Sequence, residues 1–312
     1  MPISVLAQET NIYNSQDNNN TSSNVEKNIE CEEKSLISNA VSGLLMEEST
    51  GEIIFEKDKD KQVAVASMTK MVAQIIILEN IESGNIKWSD VVTASKNAAD
   101  MGGSQIYLAA NEKMTVRDLF KGISMASAND AVVAMAEYIA GSEDKFVKKM
   151  NDKVKELGLK NTVFKNATGL DEDGHFSSAY DMAIIARTLL SHQEILEFSG
   201  VYEDYLRVNT PNKFWLVNTN KLVRTYNGAD GLKTGHTDNA KYCLAVTAKR
   251  DGMRLIAIVL GEDNAKVRNS EAAQLLDYGF NNKQILLIKK STVELKNIKL
   301  DKATEKSISI VT

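Results

Sequence analysis

Cysteine, histidine, surplus positive charge and long apolar runs are all scarce in this chain, and each scarcity closes off a class of protein. The two cysteines, Cys31 and Cys243, stand far apart, the first in a polar leader. They read as separate thiols, and no disulfide framework is expected. Cys243 falls on an expected core strand and reads as buried packing rather than a reactive thiol. The three histidines, His175, His192 and His236, are too scattered to suggest a metal site. A formal charge of −5 leaves no basic footprint, which argues against nucleic acid as a partner. No apolar run reaches the roughly eighteen residues that a spanning helix needs, so no membrane crossing is expected.

What is present is ordinary for a globular protein: 312 residues, 43% hydrophobic and 25% charged. That length buries a large core, with one main domain and something smaller attached. Residues 1–34 are polar, with Asn18-Asn19-Asn20 and Thr21-Ser22-Ser23, and read as a disordered leader. Its start, Pro2 to Ala7, resembles the tail of a secretory signal, with Val5 and Ala7 placed like the small residues before a cleavage point. The main domain is expected over residues 35–283, and residues 284–312 read as a partial β-rich C-terminal domain. No repeats are visible.

Within the main domain, Ala40 to Met46 and Glu52 to Glu56 read as two strands around a turn at Ser49-Thr50-Gly51. A helix follows from Ser67 and stops near Gly84. Met114 to Met125 and Asp130 to Ala140 are expected helices, broken at Ser127-Ala128-Asn129. Ser142 is placed to cap another, whose stripe is Phe146, Met150, Val154 and Leu157. Lys160 to Ser177 reads as an irregular loop, and Ser178 to Leu190 as helix. After Pro211 the chain turns strand-like, with Asp251-Gly252 a strong hairpin signal between Tyr242 to Lys249 and Arg254 to Gly261. A short helix is expected over Glu271 to Tyr278, ending at Gly279.

The chain is organised around Ser67-Met68-Thr69-Lys70. A serine and a lysine three apart share a helix face, so the amine can reach the hydroxyl. An amine that has lost its proton through burial or a neighbouring cation can then act as the base for the serine. Alone the pattern is weak, but Ser127-Ala128-Asn129 and Lys233-Thr234-Gly235 follow in order, on a loop between helices and on a strand. Together the three make the set of the active-serine penicillin-recognising enzymes, with alanine where aspartate often stands. In such a set Ser67 attacks and Lys70 takes its proton, with Lys233 depressing the Lys70 pKa. Ser127 relays a proton to the leaving amine, and Asn129 orients Lys70 and the substrate amide. Thr234 meets the terminal carboxylate, Gly235 lets a substrate backbone approach the strand edge, and the N–H groups of Ser67 and His236 are the expected oxyanion donors.

Over roughly Ser38 to Phe280 the chain is similar to the D-alanyl-D-alanine carboxypeptidases, low-molecular-mass penicillin-binding proteins of bacterial cell-wall metabolism. The similarity extends beyond the three elements to Phe164-x-Asn166-x-x-Gly169-Leu170, Gly174-His175, Tyr180-Asp181-Met182-Ala183, Asn218-Thr219-Asn220, Asp230-Gly231-Leu232 and Gly252-Met253-Arg254. The resemblance implies a mixed α/β fold of the β-lactamase/transpeptidase-like kind. Such a fold is a mainly antiparallel sheet flanked by helices, with an all-helical subdomain and the active site between them. Some members carry an arginine between the two asparagines, where it helps to bind the substrate carboxylate; here that residue is Thr219. The grip then falls to Lys233 and Thr234, with Arg224 a further candidate. The family's complete β-rich second domain and its membrane-lying C-terminal helix are both expected to be cut short or absent here.

The expected activity is removal of the terminal D-alanine from peptidoglycan stem peptides through an acyl-enzyme on Ser67, outside the cytoplasm, with a bearing on cell shape. β-Lactams are expected to acylate the same serine, and no metal or organic cofactor is implied. Peripheral membrane association through a missing C-terminal segment is a further expectation. Two rivals are weighed against this. A class A β-lactamase would need a loop glutamate with an asparagine four residues on, but after Glu172 the chain has Phe176. A penicillin-recognising sensor or scaffold would keep the pocket and lose turnover.

Overall fold

The computed structural model describes residues 36–284 and the backbone of two short strands, Lys296–Lys299 and Ser307–Ile310, which pair antiparallel. The leader expected over 1–34 and most of the β region expected after residue 284 lie outside the described residues.

The chain enters through β1 (Ser42–Glu47) and β2 (Ile53–Lys57), an antiparallel hairpin. The buried Glu47 carboxylate builds its turn, accepting hydrogen bonds from the N–H groups and the hydroxyls of Ser49 and Thr50. Then comes α1 (Lys70–Glu82), in which every residue from Lys70 to Leu78 is buried. A helix that is apolar on all sides belongs inside, and α1 packs against three other helices at the centre of the helical half.

Around it stand α2 (Val116–Ala126), α3 (Asn129–Ala140), α4 (Glu143–Glu156) and α5 (Ala179–Ser191). Thr115, Ser142 and Ser178 cap α2, α4 and α5, each accepting the N–H three residues on. The α4 stripe of Phe146, Met150 and Val154 is buried. Two small antiparallel ribbons edge this half: β3 (Val91–Thr93) with β4 (Lys113–Thr115), and β5 (Glu203–Leu206) with β6 (Phe214–Val217).

The main sheet is completed by β7 (Ala229–Thr237), β8 (Lys241–Arg250) and β9 (Met253–Glu262). Its order is β2-β1-β9-β8-β7, antiparallel throughout. Asp251 and Gly252 turn β8 into β9 with φ of 48° and 86°, the left-handed pair that a two-residue hairpin needs. Both faces of the sheet are covered. Ile256, Ile258 and Leu260 face the helical half, while Leu255, Ala257 and Val259 face α6 (Ala265–Asn282).

α6 corrects the short helix expected over Glu271 to Tyr278: it spans 18 residues and starts at an Asn264 cap. Gly279 does not end it. A Cβ there would stand 2.5 Å from Leu255 Cδ1 and 2.9 Å from Leu45 Cδ2, so glycine is what lets the helix lie on the sheet. Where α6 meets the end of β9, the carboxyls of Glu262 and Glu271 are buried together. Burial, then repulsion by Glu271, pushes Glu262 up to about 7.

Candidate active site

Ser67 lies in a 3-10 turn, Ala66–Thr69, that leads straight into α1. Ala66 before it is held at φ 48°, in the left-handed region. Lys70, one turn on, is fully buried, and its Nζ stands 2.7 Å from Ser67 Oγ and 2.6 Å from the Thr168 carbonyl oxygen. That carbonyl comes from the loop 160–177, which is folded by Asn166: its Oδ1 accepts from the Thr168 hydroxyl and the Gly169 N–H. His175 braces the same turn from behind. Its Nδ1 accepts from the Lys165 N–H, so its Nε2–H donates to Thr69 Oγ1 at 2.7 Å, and burial brings this neutral imidazole down to about 4.

Burial, then the charge of Lys233, holds Lys70 well below the ordinary lysine range. Asp130 opposes this, but its carboxylate is occupied with the N–H groups of Ile106, Leu108 and Ala131. Lys233 is itself buried, and burial followed by the Arg268 charge brings it down to about 7. A neutral Lys70 amine can donate to the Thr168 carbonyl while its lone pair faces the Ser67 hydroxyl. That is the arrangement a general base requires.

Ser127 caps the end of α2 at φ 61°, which turns its side chain into the cleft. Its Oγ is buried with no hydrogen-bond partner among the described residues, and so is Asn129 Oδ1. The other end of the Asn129 amide donates to the Gly102 carbonyl at 2.7 Å, and its backbone N–H donates to the Ser104 carbonyl. Asn129 therefore ties down the 102–104 loop, and no hydrogen bond links it to Lys70. This differs from the orienting bond expected of it.

The opposite wall is β7. A Cβ on Gly235 would lie 2.6 Å from the Val65 carbonyl oxygen and 3.3 Å from Ser67 N. The glycine thus admits the chain's own backbone, where approach of a substrate backbone was expected, and it brings the strand beside the serine. Lys233 Nζ donates to the Thr234 carbonyl oxygen, and the Thr234 hydroxyl donates to Thr219 Oγ1 at 2.8 Å. The exposed His236 ring stacks on Tyr242 with centroids 4.1 Å apart. Between the walls is a cleft of about 300 Å³ lined by Ser67, Ser104, Ser127, Thr219, Thr234 and Arg268, with Gly235, His236, Tyr242 and Ala265 completing it.

Arg268 is the site residue that the sequence reading missed. It is buried on α6 with its guanidinium on the cleft, whereas Arg224, the candidate named for that task, is exposed and lies over the Tyr202 ring. The available signal was a lone arginine on the stripe Arg268, Ala272, Leu275, Leu276 and Gly279. The Thr168 carbonyl was missed too, since a backbone acceptor leaves no mark on side-chain identity. Among the lining residues there is no carboxylate. Glu172, weighed as a β-lactamase base, is exposed and accepts a hydrogen bond from Asn166 instead. Among the described residues no group of three or more His, Cys, Asp or Glu side chains could hold a metal ion.

Comparison with known proteins agrees with this geometry. Residues 29–264 match the family model described as D-alanyl-D-alanine carboxypeptidase. The chain is 51% identical over 273 residues to the D-alanyl-D-alanine carboxypeptidase DacF of Bacillus subtilis, covering 88% of this chain and 70% of that one. It is 38% identical over 248 residues to DacA of Escherichia coli K12, covering 77% of this chain and 60% of that relative. Among solved structures, penicillin binding protein 5 from Haemophilus influenzae superposes with a TM-score of 0.80 at 31% identity, over 87% of this chain and 79% of that one.

Proposed function

The chain belongs to the D-alanyl-D-alanine carboxypeptidase family and is a serine-type D-Ala-D-Ala carboxypeptidase of the low-molecular-mass penicillin-binding kind; from that premise we propose how its cleft divides the work. Ser67 Oγ attacks the carbonyl of the penultimate D-alanine as Lys70 Nζ takes its proton. The oxyanion is met by the N–H groups of Ser67 and His236, whose strand the missing Cβ of Gly235 admits beside the serine. The proton then passes from Lys70 through the Ser127 hydroxyl to the leaving amine, and the terminal D-alanine departs. Water attacks the remaining ester. Among the described residues no carboxylate lines the cleft to activate that water, so Lys70 serves again as the base.

The terminal carboxylate is received by the Arg268 guanidinium and by the Thr234 hydroxyl, which turns its one hydrogen from Thr219 Oγ1 to the incoming anion. The substrate is a peptidoglycan stem peptide ending in D-Ala-D-Ala, and β-lactams take its place and acylate Ser67. Since that polymer lies outside the cytoplasmic membrane, so does the enzyme. No helix among the described residues is long and apolar enough to cross a membrane.

The observation that carries this reading is the 2.7 Å contact between Ser67 Oγ and a fully buried lysine amine with a second acceptor behind it. It is tested by D-alanine release from diacetyl-Lys-D-Ala-D-Ala, beside a labelled-penicillin gel, with Ser67→Ala as control. Release and labelling that both vanish in the variant are expected. Labelling without release by the parent protein would replace the reading with a sensor that acylates and does not turn over.

A further inference from the structure

Among the described residues that line this cleft, Arg268 is the cation whose charge is secure. A guanidinium keeps its proton in proteins, whereas Lys233 is brought down to about 7 and Lys70 is held well below its ordinary range. The aim of that guanidinium is set by two acceptors. Nη1 donates to the Cys243 carbonyl oxygen at 3.2 Å. Nε and Nη2 both donate to Asn269 Oδ1, at 3.1 and 2.8 Å. These bonds leave one N–H on each Nη uncommitted. Asn269 is partly buried and does not line the cleft.

An acceptor that grips the Nε–Nη2 edge of an arginine does the work of a carboxylate, and a carboxylate would grip harder. Here the oxygen is neutral. We propose that Asn269 is a positioning residue that aims Arg268 into the cleft without cancelling its charge, so that the substrate carboxylate is the anion the guanidinium meets. The proposal rests on Arg268 receiving that carboxylate. It also makes the choice of asparagine a matter of charge rather than of shape. Aspartate at this position would keep the geometry and strengthen the bonds, but would pair the cation internally and repel an incoming anion.

Asn269→Asp and Asn269→Ala separate charge from packing. The rate of Ser67 acylation is measured with benzylpenicillin, which carries a carboxylate, and with its methyl ester, which does not, together with KM and kcat for D-alanine release. Asn269→Asp is expected to slow acylation by the acid about tenfold or more, to leave the ester within about twofold, and to raise KM with little change in kcat. Its melting temperature should not fall. Asn269→Ala, which loosens the aim without adding charge, should lose less on the acid; if the aspartate variant fails to fold, that acid-to-ester ratio decides. Equal losses on acid and ester, or an aspartate variant as fast as the parent on the acid, overturn the proposal. A parent that acylates without releasing D-alanine would defeat the turnover reading and leave the acid-to-ester test standing.

Discussion

On the helical wall of the cleft, Ser127 Oγ is buried with no hydrogen-bond partner among the described residues. On the sheet wall the polar side chains are already engaged: Lys233 with the Thr234 carbonyl, Thr234 with Thr219, and Arg268 with Asn269 and the Cys243 carbonyl. A buried polar atom without a partner costs about 1–3 kcal/mol. The helical wall carries that cost where bonds are made and broken, so its free valences are ones that a reacting substrate completes. In the proposed reading the sheet wall binds a fixed anion and gains from being set beforehand. Chemistry and recognition thus lie on opposite sides, built by opposite rules.

The largest expected effect comes from removing the base. Lys70→Met should lower acylation by about a thousandfold or more, read as the rate of labelled-penicillin incorporation. Stability should move the other way. The Lys70 pKa is depressed in the folded protein, so this amine supports folding only at high pH, and its contribution is lost as pH falls below the ordinary lysine value of 10.5. The variant should therefore melt no lower than the parent at pH 7, with the difference shifting toward the parent as pH rises. A variant that melts well below the parent at pH 7 would mean that Lys70 serves structure, and the contrast between the walls would lose its main support.

Ser127→Ala comes next, with turnover down about a hundredfold. Because the hydroxyl has no partner among the described residues, its removal should leave the melting temperature unchanged or raise it. Calorimetry beside the D-alanine assay checks both. A clear drop in melting temperature would show that the hydroxyl is structurally engaged.

The helical wall was the more legible in sequence, for a reason the same contrast supplies. Ser67 with Lys70, and Ser127 with Asn129, act at fixed short spacings within one turn or one loop, so geometry is written into neighbouring letters. The strand triplet Lys233-Thr234-Gly235 could be read for the same reason. Arg268 and Thr219 act from other elements and meet β7 only through the fold. The Thr168 carbonyl depends on Asn166 folding a loop that looks irregular in sequence. The full length of α6 was hidden because Gly279 reads as a stop when its role is to lie against Leu45 and Leu255. Sheet order followed from the hairpin signals only between β1 and β2 and between β8 and β9; that β1 pairs with β9 is a long-range fact.

The smallest effect tests whether Thr234 must turn to meet the substrate while the rest of the sheet wall is set beforehand. Thr219 is held at both ends: its N–H donates to the Met125 carbonyl at the end of α2, and its Oγ1 accepts from the Thr234 hydroxyl. Valine at 219 keeps the shape and removes the acceptor that competes with the substrate carboxylate for the Thr234 hydrogen. One neutral hydrogen bond is worth about 0.5–1.5 kcal/mol net. Thr219→Val should therefore lower KM for a D-Ala-D-Ala peptide by about threefold to tenfold, with kcat little changed, because Ser67, Lys70 and Ser127 stand on the other wall. Thr219→Ser should restore the parental KM. If valine leaves KM alone, the Thr219 bond does not compete with the substrate carboxylate, and recognition on the sheet wall rests on Arg268 and Asn269. If valine instead lowers kcat, the disturbance has travelled through Met125 into α2, and the division of labour between the walls is less complete than their hydrogen bonds imply.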